Sequence, residues 1–165
     1  MVAVSIILPT YNEVENIGII VPKILKELET KDIRGEVIVV DDASTDGTLD
    51  KVSELSKTHH VRGIDRTGKV RSLSLSVIEG FETSEAEMCV VMDADMSHPI
   101  DRLAEMISPI LEDRVDITVG SRNIPGGGAE KWPWHRILVS RVAGSFAYGL
   151  TTMTDPTSGF MGIRR

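Results

Sequence analysis

Four short Val- and Ile-rich runs, separated by longer amphipathic stretches, leave this chain few folds to choose from. The runs are AVSIILP at 3–9, GEVIVVDD at 35–42, EMCVVMDAD at 87–95 and VDITVGSR at 115–122. They read as strands of the fully buried kind, whose apolar character runs on because both faces are covered. The segments 13–30, 45–57, 69–83 and 100–113 between them have helical spacing and composition. Strands alternating with helices demand right-handed crossovers, so the expected class is α/β, a three-layer sandwich around a mostly parallel central sheet. HHVRGIDR at 59–66 is expected to add a short strand. Ser44 or Thr45, followed by Asp46, reads as a helix N-cap, and Pro99 as the opening of the next helix.

With 165 residues, 41% of them hydrophobic, the chain suffices for one domain with a real core, spanning 1–165. The net charge of −7 argues against a nucleic-acid binder, which needs a basic stripe to neutralise phosphates. Any anionic ligand must therefore be gripped locally. Cys89, the single cysteine, lies in an apolar run and reads as a buried thiol; it excludes an intrachain disulfide and fits a reducing compartment. The N-terminal MVAVSIILPTYNE lacks the basic region of a signal peptide, and no segment approaches the roughly 18 apolar residues that cross a bilayer.

In an open parallel sheet, ligands bind beyond the carboxyl ends of the strands, where loops and helix N-termini converge. Four strand ends carry polar residues: Pro9 to Glu13, Asp41 to Ser44, Asp93 to Asp95, and Gly120 to Arg122. One shared rim explains them together. Asp93 and Asp95 are like charges one residue apart, and they repel unless a cation sits beside them. Asp, Asp and Ser97, with no Cys or His pair near, suit a hard ion such as Mg²⁺ or Mn²⁺ completed by substrate phosphates. The competing reading is a solvated loop whose acids cap the helix after Pro99. His98 reads as loop packing, since a hard-ion site has little use for imidazole. Of Asp41 and Asp42, only one can face the site, where a base N–H or ribose hydroxyl is its natural partner.

Six blocks, LPTYNEVENI, VIVVDDASTDGT, VVMDADMSHP, VGSRNIPGGG, WPWHRILVSR and DPTSGF, follow one another in the order and spacing that resemble family 2 glycosyltransferases of GT-A fold. The resemblance is closest to dolichyl-phosphate and polyprenyl-phosphate mannosyltransferases, and it runs from Ser5 to the last residue. It implies that Pro9, Tyr11, Glu13, Val40 and Asp42 bind the base and ribose of a nucleotide-sugar, with Asp93, Ala94 and Asp95 around its diphosphate. Asp93, Asp95 and Ser97 become the metal ligands, and Arg122, Arg136 and Ser140 the grip on the lipid phosphate. Asp95, Arg122 and Arg136 are the residues on which catalysis is expected to depend. Arg136 and Ser140, four apart, share a helix face, which independently suits a phosphate.

The implied activity is transfer of a hexose, mannose from GDP-mannose, to a polyprenyl phosphate with inversion. Alternatives are a UDP-sugar donor with a lipid-phosphate or saccharide acceptor, and a nucleotide-binding domain without transferase activity. No Gly-x-Gly-x-x-Gly follows the first strand, so a dinucleotide-dependent dehydrogenase lacks support. Asp155 is a candidate for a sugar hydroxyl, or for a general base if the acceptor is an alcohol. Trp132 and Trp134 suit either a lipid headgroup or ordinary packing. The resemblance places the protein in the cytoplasm, peripheral at the membrane face, and leaves the family's C-terminal extension outside the chain. One block departs from the family: the pattern GKxxGLGxAxxxG is here GKVRSLSLSVIEG at 68–80. Gly68, Lys69 and Gly80 remain, whereas the small positions between have become Ser and Leu, which puts donor fit in question. Gly126 to Gly128 are expected to form a mobile loop, and a helix is expected to start near Pro133.

Overall fold

The computed structural model describes residues 2–124 and 153–165. Its elements alternate as the apolar runs require: β1 (Val4–Thr10), α1 (Val14–Thr30), β2 (Gly35–Asp41), α2 (Thr48–Leu55), β3 (Val61–Asp65), α3 (Leu73–Thr83) and β4 (Met88–Val91). A 3₁₀ turn at Ile100–Arg102 leads into α4 (Leu103–Leu111), followed by β5 (Ile117–Val119) and β6 (Met161–Arg164). The six strands form one sheet in the order β3-β2-β1-β4-β6-β5. β3, β2, β1 and β4 pair in parallel, whereas β6 runs antiparallel to both β4 and β5.

Side-chain alternation along the strands sorts the core into two layers. Ile6, Leu8, Val37, Val39, Met88 and Val90 point to the face covered by α1, α2 and α4. Ile7, Ile38, Val40, Cys89 and Val91 point to the other, where Val77 and Phe81 of α3 pack. Both faces are thus covered, which is why the runs carry so few polar residues. Cys89 is fully buried, and burial pushes its thiol above its usual range.

α3 lies close to the sheet because Gly80 has no side chain. A Cβ there would stand 2.6 Å from Ile7 Cγ2 and 3.1 Å from Val40 Cγ2. Gly80→Ala is expected to cost a net ~1–2 kcal/mol by urea unfolding, overpacking outweighing the helix propensity that alanine regains.

Several boundaries differ from the sequence expectation. The second helix begins at Thr48 rather than near residue 45, with Gly47 at its N-cap in a left-handed conformation (φ 93°). Ser44 and Asp46 serve the neighbouring turn instead: Asp46 accepts from the backbone N–H of both Thr48 and Val14, so one carboxylate ties the starts of two helices. The third helix begins at Leu73, with Ser72 as N-cap, which leaves Lys69 to Arg71 in the preceding loop. β5 is an edge strand, not a fully buried one, since it pairs only with β6 and Ile117 is 44% exposed. β6 had no counterpart in the sequence reading. Pro125 to Thr152 lie outside the described residues, and with them Arg136, Ser140, Trp132, Trp134, the glycine triplet and the helix expected near Pro133. Among the described residues no helix is long and apolar enough to cross a membrane.

Candidate active site

The parallel strands deliver their carboxyl ends to one rim, and the polar residues singled out in sequence follow those ends. Pro9 lies opposite Val40 in the β1–β2 register, so these two sit side by side just before the loops begin. Tyr11 projects from the end of β1, 43% exposed, with the Arg71 guanidinium carbon 3.5 Å from its ring centroid. Glu13 N-caps α1 and accepts from the Asn16 side chain at 2.6 Å. Its backbone N–H donates to the Thr48 hydroxyl.

The adjacent aspartates at the end of β2 have separate partners. Asp41, fully buried, accepts from the Ser44 backbone and hydroxyl and from the Thr10 hydroxyl, and so ties the first two strand ends together. Asp42 turns toward α3: its Oδ1 accepts from Arg66 Nη1 at 2.5 Å and its Oδ2 from the Ser72 N–H at 2.8 Å. The altered block at 68–80 thereby acquires a local role. Ser72 caps α3 and faces Asp42, and the buried Ser76 hydroxyl accepts from Arg66 at 2.9 Å.

Beyond β4 the chain makes a tight turn. Ala94 is buried at 3%, Asp95 and Ser97 are exposed, and Met96 has φ 59°. Asp95 Oδ1 accepts from the Ser97 N–H at 2.9 Å, an Asx-type turn that fixes the carboxylate outward. Burial opposes ionisation there, but the hydrogen bonds from Ser97 and the field of His98 win and hold the Asp95 carboxyl below its usual value. Asp93 is contacted by His98 Nε2 at 3.3 Å, and His98 stacks on Phe160 with centroids 5.2 Å apart. His98 has the packing role expected of it. The DPTSGF block comes up against the same carboxylate, since a Cβ on Gly159 would lie 3.4 Å from Asp93 Oδ2.

Asp93 and Asp95 offer oxygen donors only. Among the described residues no three or more His, Cys, Asp or Glu side chains gather into a cage. Two carboxylates on an accessible turn fit a Mg²⁺-type ion that takes its remaining ligands from phosphates and water, and they do not fit a closed four-ligand zinc site.

Arg122 arrives from the end of β5 and forms a fork with Asp155: Nε to Oδ2 at 2.7 Å and Nη2 to Oδ1 at 2.9 Å. Thr157 also donates to Asp155 Oδ1. Asp155 is 2% exposed; burial alone raises its pKa, yet the Arg122 and Thr157 hydrogen bonds bring it below the usual carboxylate range. A carboxylate so held is a weak base, which argues against the general-base role. The Asp155 hydrogen bonds likewise raise the Arg122 pKa against the opposing effect of burial, and the charge of Asp93 adds to the same shift.

Pro9, Tyr11, Glu13, Val40, Asp42, Asp93, Ala94, Asp95, Ser97 and Arg122 thus all belong to strands β1, β2, β4 and β5 or to the loops at their carboxyl ends. A family model described as glycosyl transferase family 2 matches residues 5–165. The chain belongs to that family. Dolichol-phosphate mannosyltransferase of Pyrococcus furiosus is 40% identical over 98% of this chain and 46% of its own length. The Saccharomyces cerevisiae protein of the same name is 35% identical over 98% of this chain and 60% of its own length. Polyprenol monophosphomannose synthase of Mycolicibacterium smegmatis is 32% identical, covering 97% and 61%. The chain therefore spans roughly half of each of these family relatives. Mannosyl-3-phosphoglycerate synthase from Rubrobacter xylanophilus superposes with TM-score 0.74 at 19% identity over 99% of this chain and 53% of that one. Mannosyltransferase PcManGT from Pyrobaculum calidifontis, solved with GDP-Man and Mn²⁺, gives 0.62 at 23% identity over 98% and 44%. These likenesses establish the GT-A fold of the family.

Arg66 and Glu79 escaped the sequence reading. Each looks like an ordinary surface charge, one following a strand and one on a helix, and nothing in the spacing marks them as partners.

Proposed function

We propose that this chain transfers mannose from GDP-mannose to the phosphate of a dolichyl or polyprenyl lipid, inverting the anomeric carbon, with a divalent cation as cofactor. The observation that carries the reading is the identity of 32–40% to mannosyltransferases of such lipids over nearly the whole chain, combined with the acidic turn at Asp93 and Asp95 on the rim. Peripheral contact with a membrane follows from the acceptor.

Pro9, Tyr11, Glu13, Val40 and Asp42 bind the nucleoside, Tyr11 offering its exposed ring to the base and Asp42 a carboxylate to its polar edge. Asp93 and Asp95 hold the cation, with Ser97 beside them, and Ala94 lets the backbone approach the diphosphate. When bound, the cation supplies Lewis-acid charge neutralisation for the departing diphosphate. Arg122, with Arg136 and Ser140, receives the lipid phosphate. Asp155 fixes the plane of the Arg122 fork before substrate arrives, so less orientation is lost on binding. A lipid monophosphate is already largely ionised at neutral pH and attacks without a strong general base. The role of the arginines is to orient that nucleophile and to offset repulsion between two phosphorylated substrates.

Calorimetric titration with GDP-mannose, GDP, UDP-glucose and UDP, in Mn²⁺ and in chelator, tests the donor assignment. Metal-dependent preference for the guanosine ligands is the expected result. Preference for the uridine ligands would move the donor to a UDP-sugar, and binding of none would remove the transferase reading.

A further inference from the structure

We infer that Arg66 is a positioning residue for donor recognition, fixing the Asp42 carboxylate as an oriented acceptor for the nucleoside; the inference rests on the nucleotide-binding role proposed for Asp42. Arg66 follows β3 directly and is 2% exposed, an expensive place for a guanidinium unless its donors are all satisfied. The fold supplies partners from three directions. Nη1 donates to Asp42 Oδ1 at 2.5 Å and to Ser76 Oγ at 2.9 Å, Nε to Glu79 Oε2 at 3.1 Å, and Nη2 to the Val70 carbonyl at 3.1 Å. Lys69 holds the other Glu79 oxygen at 2.5 Å, so Glu79 is itself anchored. The Arg66 backbone N–H donates to the Asp41 carbonyl, which sets the guanidinium against the end of β2.

Asp42 consequently receives one fixed donor on each oxygen, Arg66 on Oδ1 and the Ser72 N–H at the start of α3 on Oδ2. An ionised carboxylate has about four acceptor positions. The two that these bonds use lock its rotation, and the 12% of the side chain still exposed keeps it reachable from the rim. Donor groups on a base or ribose therefore meet an acceptor already oriented, and little side-chain entropy is lost on binding. Lysine at position 66 would keep the charge and lose the fork that spans Asp42, Ser76, Glu79 and Val70.

The test is titration of the full chain with GDP–Mn²⁺ and with inorganic pyrophosphate–Mn²⁺, for wild type, Arg66→Lys, Ser76→Ala, Asp42→Asn and the double variant Asp42→Asn/Arg66→Lys. Arg66→Lys is expected to weaken GDP about tenfold and to leave pyrophosphate within about twofold, and Ser76→Ala to weaken GDP about threefold. In the Asp42→Asn background, Arg66→Lys should change GDP affinity by less than about twofold, because coupled residues are not additive. Unchanged GDP affinity in Arg66→Lys, equal losses for both ligands, or full additivity with Asp42→Asn would overturn the inference. If Arg66→Lys does not fold, Ser76→Ala, which keeps the ion pair, carries the same comparison, and an unaltered GDP affinity there overturns it. A wild type that binds no nucleotide removes the functional reading and this inference together; a wild type that binds GDP beside an unaffected variant removes the inference alone.

Discussion

Asp95→Ala is expected to lower metal-dependent mannosyl transfer by about a thousandfold or more while leaving the fold intact, the two effects coming from different surroundings of one side chain. Its carboxylate is exposed and accepts its hydrogen bonds within its own turn, chiefly from Ser97, so its removal costs stability of order 0.5–1 kcal/mol. In the proposed reaction the same group holds the cation that offsets charge on the leaving diphosphate, an electrostatic contribution worth several kcal/mol of barrier. Turnover measured against Mn²⁺ concentration, alongside thermal unfolding, separates the two. Full activity in the variant would sink the metal assignment, and collapse of the fold would show that the turn is structural.

The second large effect is expected at Asp155. Asp155→Ala leaves the part-buried Arg122 guanidinium without the carboxylate that accepts two of its side-chain hydrogen bonds, and the expected loss is ~3 kcal/mol of stability together with at least tenfold in acceptor use. Urea unfolding and the KM for lipid phosphate read the two losses. The stability loss has a defined pH dependence. The folded Asp155 carboxyl titrates below its ordinary value of 3.8, so its stabilisation is complete above that value and fades as pH falls through the lower folded-state pKa. The gap between wild type and Asp155→Asn should therefore be constant near neutrality and narrow below about pH 4. A gap that does not narrow in acid would mean that Asp155 is not held as an anion by Arg122.

Much of the fold was legible because buried parallel strands leave an unmistakable trace. Val4–Thr10, Gly35–Asp41 and Met88–Val91 lie between packed helices, and water never selects against their apolar residues. The edge strand Ile117–Val119 fared worse, since one pairing partner and partial exposure give a sequence that half-resembles a loop. β6 left no periodic signal: four residues, with Gly162 among them, are too few to show alternation, and only pairing with β4 and β5 makes them a strand. Cap residues misled for a related reason. Ser44 and Thr45 stand where a helix cap belongs in sequence, but the Ser44 hydroxyl is engaged by the Asn12 N–H and by Asp41 and the Thr45 N–H by the Asn12 side chain, and only folding brings Asn12 near.

The rim shows the same division. The strand-end rule puts Asp42, Asp93, Asp95 and Arg122 on one rim from sequence alone, because loops after parallel strands must emerge on one side. What each of these side chains faces was beyond sequence reach. Asp41 and Asp42 are neighbours of identical chemistry, yet one is spent on Ser44 and Thr10 and the other is held by Arg66 and Ser72. Arg122 and Asp155 are 33 positions apart, Arg66 and Asp42 are 24 apart, and no local pattern couples either pair. By itself the sequence determined the layered α/β class and the rim on which the candidate site residues lie, because these follow from local periodicity and strand direction, and it pointed to the family through six motif blocks in the family's order. Only the tertiary structure decided which charge answers which, because ion-pair partners are chosen by packing distance, and distance in space is what a linear chain leaves unwritten.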